Sequence, residues 1–256
     1  MKFNPPALVL LAIVSFTATG IYTSFQQSKE AALVMSSAVA DHSGSKNPYE
    51  SAIVLDGLYQ ATFMSGCKSA PFFPCLDDEK KASMTLLETS RTLMLTAVEQ
   101  GDARAINAVI RSQRPRGYSR DHTFNNWWDI RDKAKPMIVK LAGNPGADKE
   151  TLLYAGQILL VGDHVTQDYR QAHSFLSKAW EMGENEAATG VKMVFEALND
   201  AQNTYLWNLR CTRMCTRIDP KLYARLSASE ILELQELAKD RTVVVYGNSP
   251  LNAKKG

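Results

Sequence analysis

The sequence predicts an all-α chain, built as a solenoid of helical hairpins, with a short extended segment near the C-terminus. Three observations carry this. From Pro48 onward apolar residues recur at helical spacing almost without pause. The breaks between the periodic segments are short, which makes consecutive helices antiparallel neighbours. The alternating or β-branched pattern of a strand occurs only in TVVVY (242–246), which reads as an extended tail or a lone edge strand.

The elements follow in order. Tyr49–Met64 is a helix with Ile53, Leu55, Leu58, Tyr59 and Phe63 as its apolar face. Asp78–Gln100 is the next and stops at Gly101, where a left-handed residue is expected. Asp102–Ser112 restarts with Asp102 as N-cap. RSQRPRGYSRDH (111–122) breaks the pattern and is a loop; Thr123–Leu141 resumes it, with Pro136 as a kink point, and NPGA (144–147) is a turn. Lys149–Val161, Asp168–Met182, Glu186–Ala197 and Ala201–Met214 follow. Ser227 and Glu230 form a capping box that opens Ala228–Lys239.

Composition bounds the function. The chain has 256 residues, of which 45% are hydrophobic and 22% charged, as in globular proteins. A formal net charge of +2 argues against bulk binding to nucleic acid or acidic lipid. The N-terminus differs from the rest. Lys2 precedes ALVLLAIVSF (7–16) and TATGIYTSF (17–25). The first run has the size of a signal-peptide core, and Ala18 and Gly20 are spaced for cleavage after Gly20. Ala7 to Phe25 is also free of charge, so an uncleaved membrane anchor is the rival. Either reading exports the bulk of the chain, in a bacterium to the periplasm. The organisation is therefore a signal or anchor over 1–25, a tether over 26–48, a helical domain over 49–240 and a tail over 241–256.

Four cysteines agree with an oxidising compartment: Cys67, Cys75, Cys211 and Cys215. Local pairs, 67 with 75 and 211 with 215, are favoured over the other two connectivities. A zinc site would need both pairs brought together, and neither is a CxxC pair. His164, Asp168 and His173 do not share a helix face, so a surface histidine and a helix cap explain them better than a metal. No cofactor is expected.

The stretch YAGQILLVGDHVTQDYRQAHSFLSKAWEMGENEAA (154–188) is the most patterned. It reads as a helix stopping at Gly162, a turn plugged by Val165, and a second helix capped by Asp168 and stopping at Gly183. Gly156 and Ala172 remove bulk where the two helices approach. Such a hairpin cannot bury its face alone and requires stacked neighbours. The spacing resembles the Sel-1-like repeat, a relative of the tetratricopeptide repeat, through Ala155, Gly156, Gly162, Val165, Asp168, Ala172, Ala179, Gly183 and Ala187. Leu159 stands where that family prefers Tyr, and His164 where it prefers a second Gly. The clearest repeat is 151–188. A period of 36 places Lys192 opposite Gly156, and Ala97, Gly101 and Ala105 repeat the offsets of Ala179, Gly183 and Ala187. The resemblance implies a protein–protein scaffold without catalytic residues, holding an envelope protein; an accessory part of a secretion or conjugation apparatus is the alternative.

Two further stretches suggest sites. Arg114, Arg116, Tyr118 and Arg120 stand beside Trp127 and Trp128, a mix suited to a partner-binding hot spot or to core packing, with nucleic acid disfavoured by export. Glu50-Ser51 followed by Gly57-Leu58-Tyr59-Gln60 faintly resembles the elements of lytic transglycosylases, in which a Glu of raised pKa is the acid. No nucleophile set or phosphate-cradling glycine loop occurs. Non-reducing peptide mapping of periplasm-derived protein is expected to find no free thiol; four alkylatable cysteines would overturn the exported, disulfide-bonded reading.

Overall fold

The computed structural model describes residues 29–62, 77–112, 127, 130–211, 215 and 220–252. Among them the fold is helical and carries no β-strand. The helices are α1 (29–42), α2 (Pro48–Thr62), α3 (Asp77–Glu99), α4 (Ala103–Arg111), α5 (Arg131–Ala142), α6 (Lys149–Val161), α7 (Tyr169–Glu181), α8 (Ala187–Ala197), α9 (Ala201–Arg210), α10 (Pro220–Tyr223) and α11 (Ala228–Leu237), with a 3-10 turn at Pro250–Asn252. No helix among the described residues is long and apolar enough to cross a membrane; the apolar run 7–25 lies outside them.

The described residues fall into two compact units, one running to Ala105 and including Trp127, the other starting at Ile106. In the first, α2 packs on α3, and the Ser90 hydroxyl donates to the Ala52 carbonyl across that seam at 2.9 Å. The buried stripe of α2 is Ser51, Ala52, Leu55 and Tyr59. Ile53, expected on the apolar face, is 38% exposed, and Phe63 lies outside the described residues. The four stripe residues, at i, i+1, i+4 and i+8, share one side of the helix, and Ile53 falls off that stripe. The stretch read as a tether carries α1 instead: Met35 is buried, and the His42 ring meets the Ser51 hydroxyl at 3.0 Å. A buried methionine and a cross-helix hydrogen bond are enough to order a segment whose sequence alone looks too short to persist.

Helix ends are set by local chemistry. Gly101 at φ +80° closes α3: its N–H bonds the Val98 carbonyl, and the Asp102 N–H bonds Ala97, the two bonds of a Schellman stop. Gly183 at φ +93° repeats this on α7 with Trp180 and Ala179, and Asn199 at φ +56° repeats it on α8 with Glu196 and Phe195. Asp148, Asp168 and Asp200 cap α6, α7 and α9 by accepting N–H groups of the first turn, and Ser227 and Glu230 form the expected capping box on α11. Two boundaries differ from expectation. α5 starts at Arg131 rather than Thr123, with Pro136 inside it, and α9 ends at Arg210, after which Cys211 takes an extended backbone.

The second unit is a continuous stack. α5 packs on α6, α6 on α7, α7 on α8 and α8 on α9, while α6 also touches α8. Leu176 of α7, fully buried, is the wedge. A Cβ on Gly156 of α6 would lie 2.5 Å from Leu176 Cγ, and one on Gly190 of α8 would lie 2.9 Å from its methyl carbons. Two glycines on separate helices thus make one socket for one leucine. The other small positions, Ala155, Ala172, Ala179 and Ala187, are fully buried, and Val165 packs on the core from the turn. His164 takes φ +60°, the left-handed conformation that the departure from glycine put in question. Lys192 does not face Leu176. It is mostly buried on α8 and ion-paired with Glu196 at 2.6 Å; the glycine of that helix is Gly190.

Gly156→Ala is expected to destabilise the second unit by about 1–3 kcal/mol through overpacking against Leu176. Gly57→Ala, at an open position inside α2, should instead stabilise the first by about 0.5–1 kcal/mol. Thermal unfolding followed by circular dichroism checks both signs.

Candidate functional site

Among the described residues, a densely built polar cluster against aromatic surface lies where the tail crosses α7 and α9. Trp180 of α7 and Trp207 of α9 meet edge to face, ring centroids 5.3 Å apart. The Arg210 guanidinium sits 4.7 Å from the Trp207 ring centroid and 5.9 Å from that of Trp180. Arg241, from the tail, lies 3.7 Å over the Trp180 ring.

Arg210 is only 6% exposed, and its hydrogen bonds go to main-chain carbonyls. Its Nε donates to Ala238, one terminal nitrogen to Val243 at 2.6 Å, and the other to Leu237 and Asp240 at 2.9 and 2.6 Å. Leu237 and Ala238 end α11, so the cation caps the negative end of that helix. Burial pushes the guanidinium down to about 10, against the opposing pull of Asp240 and with a smaller push from Arg241. Bonding along its fork compensates the lost hydration.

The tail is held by its main chain. The Trp180 indole N–H donates to the Arg241 carbonyl and the Trp207 indole N–H to the Val244 carbonyl, each at 3.1 Å. The Asn203 amide grips Tyr246 twice, donating to its carbonyl at 2.9 Å and accepting its N–H at 2.7 Å. Arg241 returns the contact by donating to the Trp180 carbonyl and to the Asn185 side chain. Asp240 starts the segment, accepting the Thr242 N–H and hydroxyl, which lowers its pKa. Val244 and Val245 pack half-buried on the main core. His173 lies in the same face, 3.2 Å from the Ser177 hydroxyl and edge-on to Phe195 at 5.2 Å. Burial lowers its pKa, against a hydrogen bond to the Val244 main chain that raises it. It is not the surface histidine that its sequence position suggested.

The residues singled out from sequence are placed as follows. Arg114, Arg116, Tyr118, Arg120 and Trp128 lie outside the described residues, as do Cys67 and Cys75. Trp127 is half-buried, its indole N–H buried without a partner. Cys211 and Cys215 form a disulfide with Cα atoms 5.7 Å apart, and the Thr189 hydroxyl lies 3.1 Å from the Cys211 sulfur. His164, Asp168 and His173 do not converge. Asp168 spends its carboxylate on the N–H groups of Arg170 and Gln171. His164 faces Asp132 and Asp163, which Lys135 also bridges at 2.6 and 2.7 Å. Among the described residues no group of three or more metal-ligating side chains is positioned to hold an ion. Glu50 is 55% exposed and paired with Arg104 at 2.5 Å. Sequence reasoning missed Asn203, Arg210 and Arg241, because a polar residue on an amphipathic helix or tail carries no mark of burial. The only signal was the β-branched run beside Arg241.

His173 sets a pH dependence. Its folded pKa is depressed, so its contribution is complete above the unfolded value near 6.5 and is lost as pH falls below it, when the unfolded chain binds the proton more readily. Urea unfolding at pH 7 and pH 5 is expected to show lower stability at pH 5, and His173→Gln should flatten that difference. Compared with known proteins, the chain matches no family model, no curated protein and no solved structure.

Proposed function

We propose that this chain is an exported, Sel-1-like helical-repeat protein that holds a protein partner in the bacterial envelope. The observation that carries the reading is the α6–α7 hairpin: Gly156 admits Leu176, Gly162 at φ +77° stops one helix, Asp168 starts the next, and Gly183 ends it. These are the positions on which the resemblance rests, and each meets a steric or hydrogen-bonding demand of a hairpin stacked on its neighbours. The disulfide between Cys211 and Cys215 favours an oxidising compartment, and so the periplasm, reached through residues 1–25 as signal or anchor. The exposed, ion-paired setting of Glu50 weighs against the cell-wall enzyme. The partner is an envelope protein, and the aromatic and arginine segment around Trp127 and Trp128 is its contact. No nucleic acid or cofactor is involved.

Crosslinking in intact cells at the natural expression level, followed by capture and mass spectrometry, tests this. One dominant envelope protein, lost in the Trp127→Ala/Trp128→Ala variant, is the expected result. Co-purification of a large membrane assembly would move the reading to a component of a secretion or conjugation apparatus. Recovery of nothing specific would overturn the scaffold.

A further inference from the structure

Cys211 and Cys215 are joined although they stand only four positions apart in sequence. A bond that closes so short a ring removes little freedom from the unfolded chain and is a weak staple. The end of α9 is held by other means. The Arg210 guanidinium meets the carbonyls of Leu237, Ala238, Asp240 and Val243, and the Trp207 indole N–H meets that of Val244. Both cysteines are half-buried, with Cys211 packed on the main core. The two sulfurs differ in their surroundings. The Thr189 hydroxyl lies 3.1 Å from Cys211 Sγ, and because a disulfide sulfur carries no proton, the hydroxyl is the donor. Thr189 belongs to the first turn of α8, so this sulfur also lies beside the positive end of that helix. Among the described residues no hydrogen bond reaches the Cys215 sulfur. A thiolate leaves faster the better its charge is met, so Cys211 is the better leaving group of the pair.

We propose that Cys211–Cys215 is a thiol–disulfide exchange site that oxidises a dithiol, with Cys215 the sulfur attacked and Cys211 the leaving group held by Thr189. In the first step a thiolate of the dithiol bonds to Cys215 Sγ as the Cys215–Cys211 bond breaks. The electron pair goes to Cys211, whose charge the Thr189 hydroxyl meets. In the second step the other thiol of the dithiol, having given its proton to solvent, attacks its neighbouring sulfur in the mixed disulfide, and Cys215 leaves as a thiolate. Each cysteine then takes a proton from solvent. The dithiol loses two electrons and two protons and becomes a disulfide; the chain gains both and carries two thiols. The fold survives reduction, because α9 and the tail are held by the Arg210 and Trp207 contacts. The resting form is the disulfide, so the isolated protein shows no free thiol at this site. The inference stands on α8 and α9 alone and does not rest on the scaffold reading.

The test uses the full oxidised chain, with dithiothreitol as the dithiol and glutathione as a monothiol that stops at the mixed disulfide. After trapping with N-ethylmaleimide, trypsin cuts at Arg213 and places the two cysteines on separate peptides for mass spectrometry. Glutathione on Cys215 with maleimide on Cys211 is expected in about tenfold excess over the reverse. Thr189→Val, which removes the hydroxyl from a side chain of similar shape, should slow reduction by dithiothreitol about tenfold and even out the two mixed disulfides. Thr189→Ser keeps the hydroxyl and should keep the preference. The reduced chain should retain its circular dichroism and the amide-exchange protection of α8 and α9. Glutathione shared equally, or carried on Cys211, would overturn the assigned roles. A bond that resists dithiothreitol until urea unfolds the chain would make it a structural staple and overturn exchange, as would loss of α9 protection on reduction. A Thr189→Val chain with the parent's rate and partition would overturn Thr189 as the group that holds the leaving sulfur.

Discussion

A buried guanidinium organises the C-terminal half of this protein. Removing Arg210 from water carries a desolvation cost of several kcal/mol unless each donor is met. Here the acceptors are the carbonyls of Leu237, Ala238, Asp240 and Val243. Meeting them fixes where α11 ends, how the chain turns at Asp240, and where the tail runs. The two tryptophans give the cation an aromatic wall on the side where no carbonyl reaches. The position of α11, the path of the tail and the packing of α7 on α9 are therefore parts of one arrangement. A lysine in its place would bring a point charge with three donors and no planar fork, and would leave acceptors unmet.

The other organising constraint is steric. Leu176 fills a socket that exists only because Gly156 and Gly190 carry no side chain. The glycines give up helix propensity, about 1 kcal/mol each relative to alanine, and gain close approach of three helices around one leucine. At the α6, α7 and α8 contact small side chains stand where the helices touch, and Asp148, Asp168, Gly101 and Gly183 mark helix ends.

These two constraints bear on function in different ways. The glycine and cap pattern stacks α5 to α9 each on the next. The arginine and tryptophan cluster holds the C-terminal segment of the chain against α7 and α9. Within the described residues of the second unit, Asn203 and Arg210 are buried where the non-helical segment 241–246 is bound.

The sequence by itself determined the helical class, most helix ends and the close approach of α6 and α7, because periodicity, αL glycines, capping aspartates and interface glycines are local or one-dimensional signals. Gly101, Gly162, Asp168, Gly183 and the Ser227–Glu230 box all stand where local chemistry put them. Tertiary structure decided what distance in sequence conceals. It ordered α1 through Met35, turned Gly190 rather than Lys192 toward Leu176, and buried Arg210, Asn203 and His173 against a tail some 30–70 residues away. A polar side chain is buried only when a remote main chain arrives to satisfy it, and nothing in the neighbouring residues announces that arrival.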